Sequence, residues 1–88
     1  MFINFMNFYV YLICAKSKNK SIISYVGYTN NIQRRLKAHN SSKGAKFTRG
    51  KLWKLIYKKK FKSKTEAMKY EYILKNDKQK RKLLKKKY

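Results

Sequence analysis

Acidic residues are almost missing from this chain: 3 Asp+Glu stand against 25 Lys+Arg, a formal net charge of +22 over 88 residues. So few carboxylates exclude chemistry that needs a cage of them, an all-protein calcium site among others. Cysteine occurs once, as Cys14, so no internal disulfide can form; a reducing compartment, cytoplasmic or organellar and not secreted, is expected. Cys14 and the single histidine, His39, are too few for a zinc site. Proline is absent and glycine occurs 3 times, while 43% of residues are hydrophobic and 16% aromatic. That balance argues against disorder and for a real core. The opening MFINFMNFYVYLICA is apolar, but it starts without basic residues, holds Asn4 and Asn7 and is shorter than a membrane span. Residues 1–7 are therefore expected to be an N-terminal extension leading into a strand, with Met6 as an alternative start.

A chain of this length makes one small domain, hiding about 60–65% of the surface its unfolded form exposes. No room remains for a separate recognition domain. The charge points to a polyanionic partner, most simply nucleic acid; no membrane partner is expected, since the apolar opening is shorter than a membrane span. Of the 25 cations, however, 21 are Lys, alongside abundant Asn and Ile, which is the mark of an AT-rich coding bias. The arginines, Arg34, Arg35, Arg49 and Arg81, are the better clues.

FYVYLIC (8–14) is a continuous apolar run and reads as a strand buried on both faces. KSKNK (16–20) is turn material, and SIISYVGY (21–28) a second strand forming a hairpin with the first. Gly27 marks a bend or a close backbone approach. Asn30 with Gln33 resembles a capping box for a helix over 31–40, whose Ile32, Leu36 and His39 share a face. SSKGAKFTRGK is a basic loop, and LWKLIYKKKF a third strand with Trp53, Leu55 and Tyr57 on one face. SKTE (63–66) caps a second helix, in which Ala67, Tyr70, Glu71 and Leu74 form an inward stripe. Residues 78–88 read as a basic helix or tail outside a domain of 8–77. The fold class is α/β (α+β): a small three-stranded antiparallel or mixed sheet flanked by helices, in the order β-β-α-β-α(-α).

Glu66 is explained as a cap and Asp77 by its polar stretch. Glu71 is not, because a carboxylate on an apolar face is costly unless paired, hydrogen-bonded or bound to metal. Arg35 and His39 repeat the anomaly on the first helix. One structural salt bridge from Glu71 to Arg35 or a lysine is the bland explanation. Against it stands the company: two strand tyrosines, an Arg, a His and a Glu on different elements.

YVYLI, YVGYTNNIQRRLKAHN, GAKFTRGKLWKLIY and KSKTEAMKYEYILK together resemble the GIY-YIG nuclease superfamily, its small single-domain bacterial members and the nuclease subunits that cut branched DNA. The resemblance covers about residues 8–77. It implies that Tyr11 and Tyr25 are the signature tyrosines, Gly27 the second signature's glycine, Arg35 and His39 the helix pair, and Glu71 the metal-binding glutamate. Tyr9 stands where the first signature has its glycine, and Tyr28 where repair-type members carry a lysine.

The implied reaction is endonucleolytic hydrolysis of a phosphodiester, with DNA the expected partner and branched, flapped or nicked structures the candidate substrates. It uses one Mg²⁺ or Mn²⁺ on Glu71. Arg35 would clamp a phosphate oxygen. Tyr25 is the first choice of general base, positioned by Tyr11, with His39 as alternative or relay. A free tyrosine ionises near ~10, and nearby cations favour the phenolate. Arg34, Lys43, Lys46, Thr48 and Arg49 would follow the nucleic-acid backbone. A protein partner could supply specificity. The competing reading is a non-catalytic basic nucleic-acid-binding protein, a decayed nuclease or a ribosome-associated one.

Overall fold

The computed structural model describes residues 6–88, so residues 1–5 of the expected extension lie outside the described residues. Along the chain run β1 (Phe8–Lys16), β2 (Ile22–Thr29), α1 (Ile32–Asn40), a 3-10 turn (Lys46–Thr48), β3 (Lys54–Phe61), α2 (Lys64–Asn76) and α3 (Lys78–Lys85). The sheet order is β2-β1-β3, and both pairings are antiparallel. No parallel crossover is needed, because each strand returns beside β1.

The apolar run that makes β1 is buried on both faces from Val10 to Ala15 because the strand is central and helices cover both sides. Period-two alternation divides it. Val10, Leu12 and Cys14 pack with Ala67, Leu74 and Leu84 of α2 and α3. Tyr11, Ile13 and Ala15 pack with Trp53 and with Ile32 and Leu36 of α1. The two helices carrying the expected site residues thus lie on opposite faces of the sheet. Burial also pushes the Cys14 thiol up, keeping it protonated and inert.

Two sequence expectations are corrected. Asn31, not Asn30, caps α1, its side chain accepting from Arg34 N at 3.0 Å. Thr29 decides between the two asparagines: its hydroxyl takes the Asn31 N–H at 3.1 Å and so sets the turn one residue later. Second, Trp53, Leu55 and Tyr57 do not share a face. A bulge between Leu12 and Ile13 pairs Leu12 with Tyr57 but Ile13 with Leu55, and the extra residue rotates Tyr57 to the α2 side. There its hydroxyl lies 2.7 Å from that of Tyr70.

The C-terminal helix offered by the sequence is present as α3. Asp77 caps α3 through Lys80 N at 3.0 Å, and Leu84 is 6% exposed within the core cluster, whereas Leu83 is 61% exposed. Leu84→Ala is expected to cost about 2–4 kcal/mol in urea unfolding, by the usual scale for a buried leucine. Leu83→Ala should fall within about 0.5 kcal/mol of the parent.

Candidate active site

Ser63 caps α2 by accepting from Glu66 N at 3.1 Å, so the stripe Ala67, Tyr70, Glu71, Leu74 turns inward as its periodicity predicts. Across the sheet, Tyr11 and Tyr25 sit at odd positions of neighbouring strands, with Tyr11 opposite Gly27 and Tyr25 opposite Ile13. Both aromatic rings therefore emerge on the α1 face. Gly27 is required there: a Cβ would lie 2.6 Å from Tyr11 Cζ, well inside van der Waals contact distance. The glycine is where the Tyr11 ring lies down.

Four side chains then form one chain of hydrogen bonds whose direction is fixed from its far end. Thr48 Oγ1 gives its single proton to Ala45 O at 2.8 Å, so it must accept from His39 Nδ1, also at 2.8 Å. His39 Nε2 is left bare and accepts the Tyr11 O–H at 2.8 Å. Tyr11 in turn accepts Arg35 Nε–H at 3.4 Å. A guanidinium at the surface is thereby aimed by a threonine on a loop, through a buried imidazole and a phenol.

The electrostatics follow this geometry. Burial pushes Tyr11 up to about 12, against the lowering effect of the Arg35 hydrogen bond and charge, with Tyr25 and Glu71 adding smaller upward pushes. At Tyr11 desolvation outweighs the guanidinium beside it. His39 is fully buried and held down to about 4, mainly by burial and then by Arg35. Arg35 is raised, chiefly by its bond to Tyr11, with the Tyr25 phenol contributing too.

Both ring nitrogens of His39 are engaged, Nδ1 by Thr48 and Nε2 by Tyr11. Tyr11 bonds to Arg35 and His39, and among the described residues no direct hydrogen bond joins it to Tyr25. Tyr25 itself is half-buried, its ring 5.1 Å from His39.

Glu71 stands apart from this chain of bonds. Its carboxylate pairs with Lys75 one turn on at 3.4 Å and is 17% exposed, so the lysine partner of the bland reading is present and the Arg35 partner is not observed. Its charge is nevertheless felt at Tyr11.

Of the residues expected on the backbone track, Arg34, Lys43, Lys46 and Arg49 are exposed. Thr48 is the exception. It is fully buried and its hydroxyl is spent on His39 and Ala45, so it cannot meet a phosphate. Arg34 and Arg35 line one groove with Phe8, Tyr28, Ala38 and Lys64, bringing cations from α1 and α2 together.

Sequence reasoning missed Thr48 as the partner of His39, and also Gly44, where a Cβ would come 2.9 Å from His39 Cγ. The glycine in GAKFT was the available signal. Phe47 was missed as well, an exposed ring beside Tyr25.

The sequence pattern of the GIY-YIG catalytic domain matches residues 7–87. The chain belongs to the GIY-YIG family. It is similar to a UPF0213 protein of Oceanobacillus iheyensis, 46% identical over 68 residues, which are 76% of this chain and 74% of that one. Another UPF0213 protein, from Staphylococcus haemolyticus, is 42% identical over 76 residues, 85% of this chain and 88% of its own. The solution NMR structure of a UPF0213 protein from Bacillus halodurans shares 43% identity, covering 90% of this chain and 82% of that chain with a TM-score of 0.47. The family match runs through α3, in keeping with the burial of Leu84. Among the described residues no helix is long and apolar enough to cross a membrane.

Two expected outcomes follow from the bond chain. Thr48→Val strands the His39 Nδ1–H in a buried place and should cost about 1–3 kcal/mol in urea unfolding, while Thr48→Ser, which keeps the hydroxyl, should recover most of it. Stability should also fall in mild acid. The unfolded chain protonates His39 near its ordinary 6.5, the folded one only near 4. The folded pKa is depressed, so this contribution is whole above about 6.5 and is lost as pH falls towards about 4. It amounts to roughly 2–3 kcal/mol. With one histidine and three acids in the chain, the His39→Gln variant should show a nearly flat profile over that window.

Proposed function

We propose that this GIY-YIG domain is a divalent-metal-dependent endonuclease that hydrolyses phosphodiester bonds in DNA, with branched, flapped or nicked structures its candidate substrates. The observation that supports this most is the aimed guanidinium. A binding protein needs cations on its surface, not an arginine fixed through Tyr11, His39 and Thr48. Tyr11 takes the Nε proton, so the terminal amino groups remain for a phosphate and for Tyr25.

In this reading Arg35 binds a non-bridging phosphate oxygen and Tyr25, half-buried beside it, acts as the phenolate that accepts the proton of the attacking water and ends as the phenol. Tyr11, His39 and Thr48 are positioning residues. Gly27 and Gly44 make room for the rings of Tyr11 and His39.

Metal chemistry fits the donors. Among the described residues no three His, Cys, Asp or Glu gather into a cage. A lone carboxylate suits Mg²⁺ or Mn²⁺, which keep most of their waters and bind substrate phosphate. Glu71 would hold the ion, exchanging the Lys75 ammonium for it. Bound there, the ion would act as a Lewis acid towards the leaving 3′ oxygen.

The test is cleavage of a panel of branched, flapped, nicked and linear DNAs, with RNA counterparts, with and without Mg²⁺, beside Glu71→Ala. Cutting that requires both the ion and Glu71 is expected. Binding without cutting under every condition would leave the non-catalytic basic protein instead.

A further inference from the structure

Phe47 is a large apolar side chain that the fold does not use for its core. Its ring is 53% exposed, while the next residue, Thr48, is fully buried. Nor is it exposed because the loop is loose. The 3-10 turn is tied down by Thr48 on its hydroxyl side and by Trp53 Nε1 donating to Thr48 O at 2.9 Å. Asn40 then clasps the Trp53 main chain, accepting from its N–H at 2.6 Å and donating to its carbonyl at 3.1 Å.

The ring also sits in a particular place. It lies within 21° of parallel to Tyr25, with centroids 6.3 Å apart, and 6.2 Å from Trp53. The Lys51 ammonium rests 5.4 Å from its centroid, and Lys46 and Arg49 flank it, both exposed. The Lys51 ammonium over the ring and the exposed Lys46 and Arg49 close to it in sequence favour a polyanion over an apolar peptide or a lipid tail. In a nucleic acid the part that matches an exposed aromatic ring is the face of a base.

We propose that Phe47 is a stacking platform for an unpaired base next to the phosphate held by Arg35. The site then takes strands with unstacked bases, as in flaps, gaps and single-stranded segments, over continuous duplex. In a duplex each base face is already covered by its neighbours, and exposing one costs a few kcal/mol. On an unpaired strand that cost is largely absent. The arriving base displaces the Lys51 ammonium, which is then free to meet the strand's phosphate. This inference rests on the nuclease reading for the position of the phosphate.

The experiment measures binding in EDTA, by anisotropy of labelled oligothymidylate, oligouridylate and a blunt duplex, with Trp53, the chain's single tryptophan, as a nearby fluorescence reporter. Phe47→Ala should weaken binding of both single strands by about 5- to 150-fold, the span of one base–aromatic stack, and leave duplex binding unchanged. Phe47→Trp should restore it. A loss for one sugar only would keep the platform and assign DNA or RNA as its ligand. Equal losses on single strand and duplex, no loss at all, or no rescue by Trp would overturn it. A chain that never cleaves but shows this Phe47 dependence would sink the nuclease reading alone. One that cleaves without it would sink the platform alone.

Discussion

Glu71→Gln is expected to lower metal-dependent cleavage by at least ~100-fold, the rate equivalent of several kcal/mol of transition-state charge stabilisation, while binding of the same DNA in EDTA is kept or tightened. The substitution is nearly isosteric, so the α2 stripe and its packing on Val10 and Leu12 should survive. It also removes one of only three negative charges from a chain of +22, which eases the approach of phosphate. The ion pair with Lys75 is exposed on the lysine side and should contribute little to stability, so a large fall in the unfolding midpoint is not expected. Gel-based cleavage with and without Mg²⁺, beside binding in EDTA, separates the two effects. Wild-type turnover in the variant would remove Glu71 as the metal ligand.

Arg35→Lys should cut kcat by about 10²–10³-fold, the usual cost of losing one positioned transition-state donor, with a much smaller change in KM. Lysine keeps the positive charge in the groove beside Arg34 and Lys64, so general attraction for the strand persists. It has no Nε–H to donate to Tyr11 and no planar fork for two phosphate oxygens. The variant should fold, because the Tyr11–His39–Thr48 bonds lie inward of the guanidinium. If kcat is unchanged, Arg35 is a general cation and the bond chain behind it is only structural.

Legibility in the sequence followed the range of the interactions. Ser63 stands at the start of its apolar stripe, and its hydroxyl caps α2 by accepting the Glu66 main-chain N–H. The inward placing of Glu71 and of His39 follows from helix periodicity within two turns, and both are inward. The shared side of Tyr11 and Tyr25 was readable only as far as the hairpin register, which an even spacing allowed and the pairing of Tyr11 with Gly27 fixed. Asn30 and Asn31 are chemically identical caps, so the choice between them lay with the Thr29 hydroxyl. Leu83 and Leu84 offered one buried position between two candidates, and the docking of α3 on α2 chose the second.

By itself, then, the sequence determined the element order, the basic surface, the two anomalous helix faces and the family, because those depend on local periodicity, capping and composition. Only the tertiary structure decided that α1 and α2 cover opposite faces of the sheet, and that a bulge sends Tyr57 away from Leu55. It alone paired His39 with Thr48 and laid Tyr11 over Gly27. Those arrangements depend on which groups meet across 9 to 28 residues of chain. A buried imidazole needs partners for both ring nitrogens, and any hydroxyl the fold brings near can serve. Local pattern states the need; only packing names the partner.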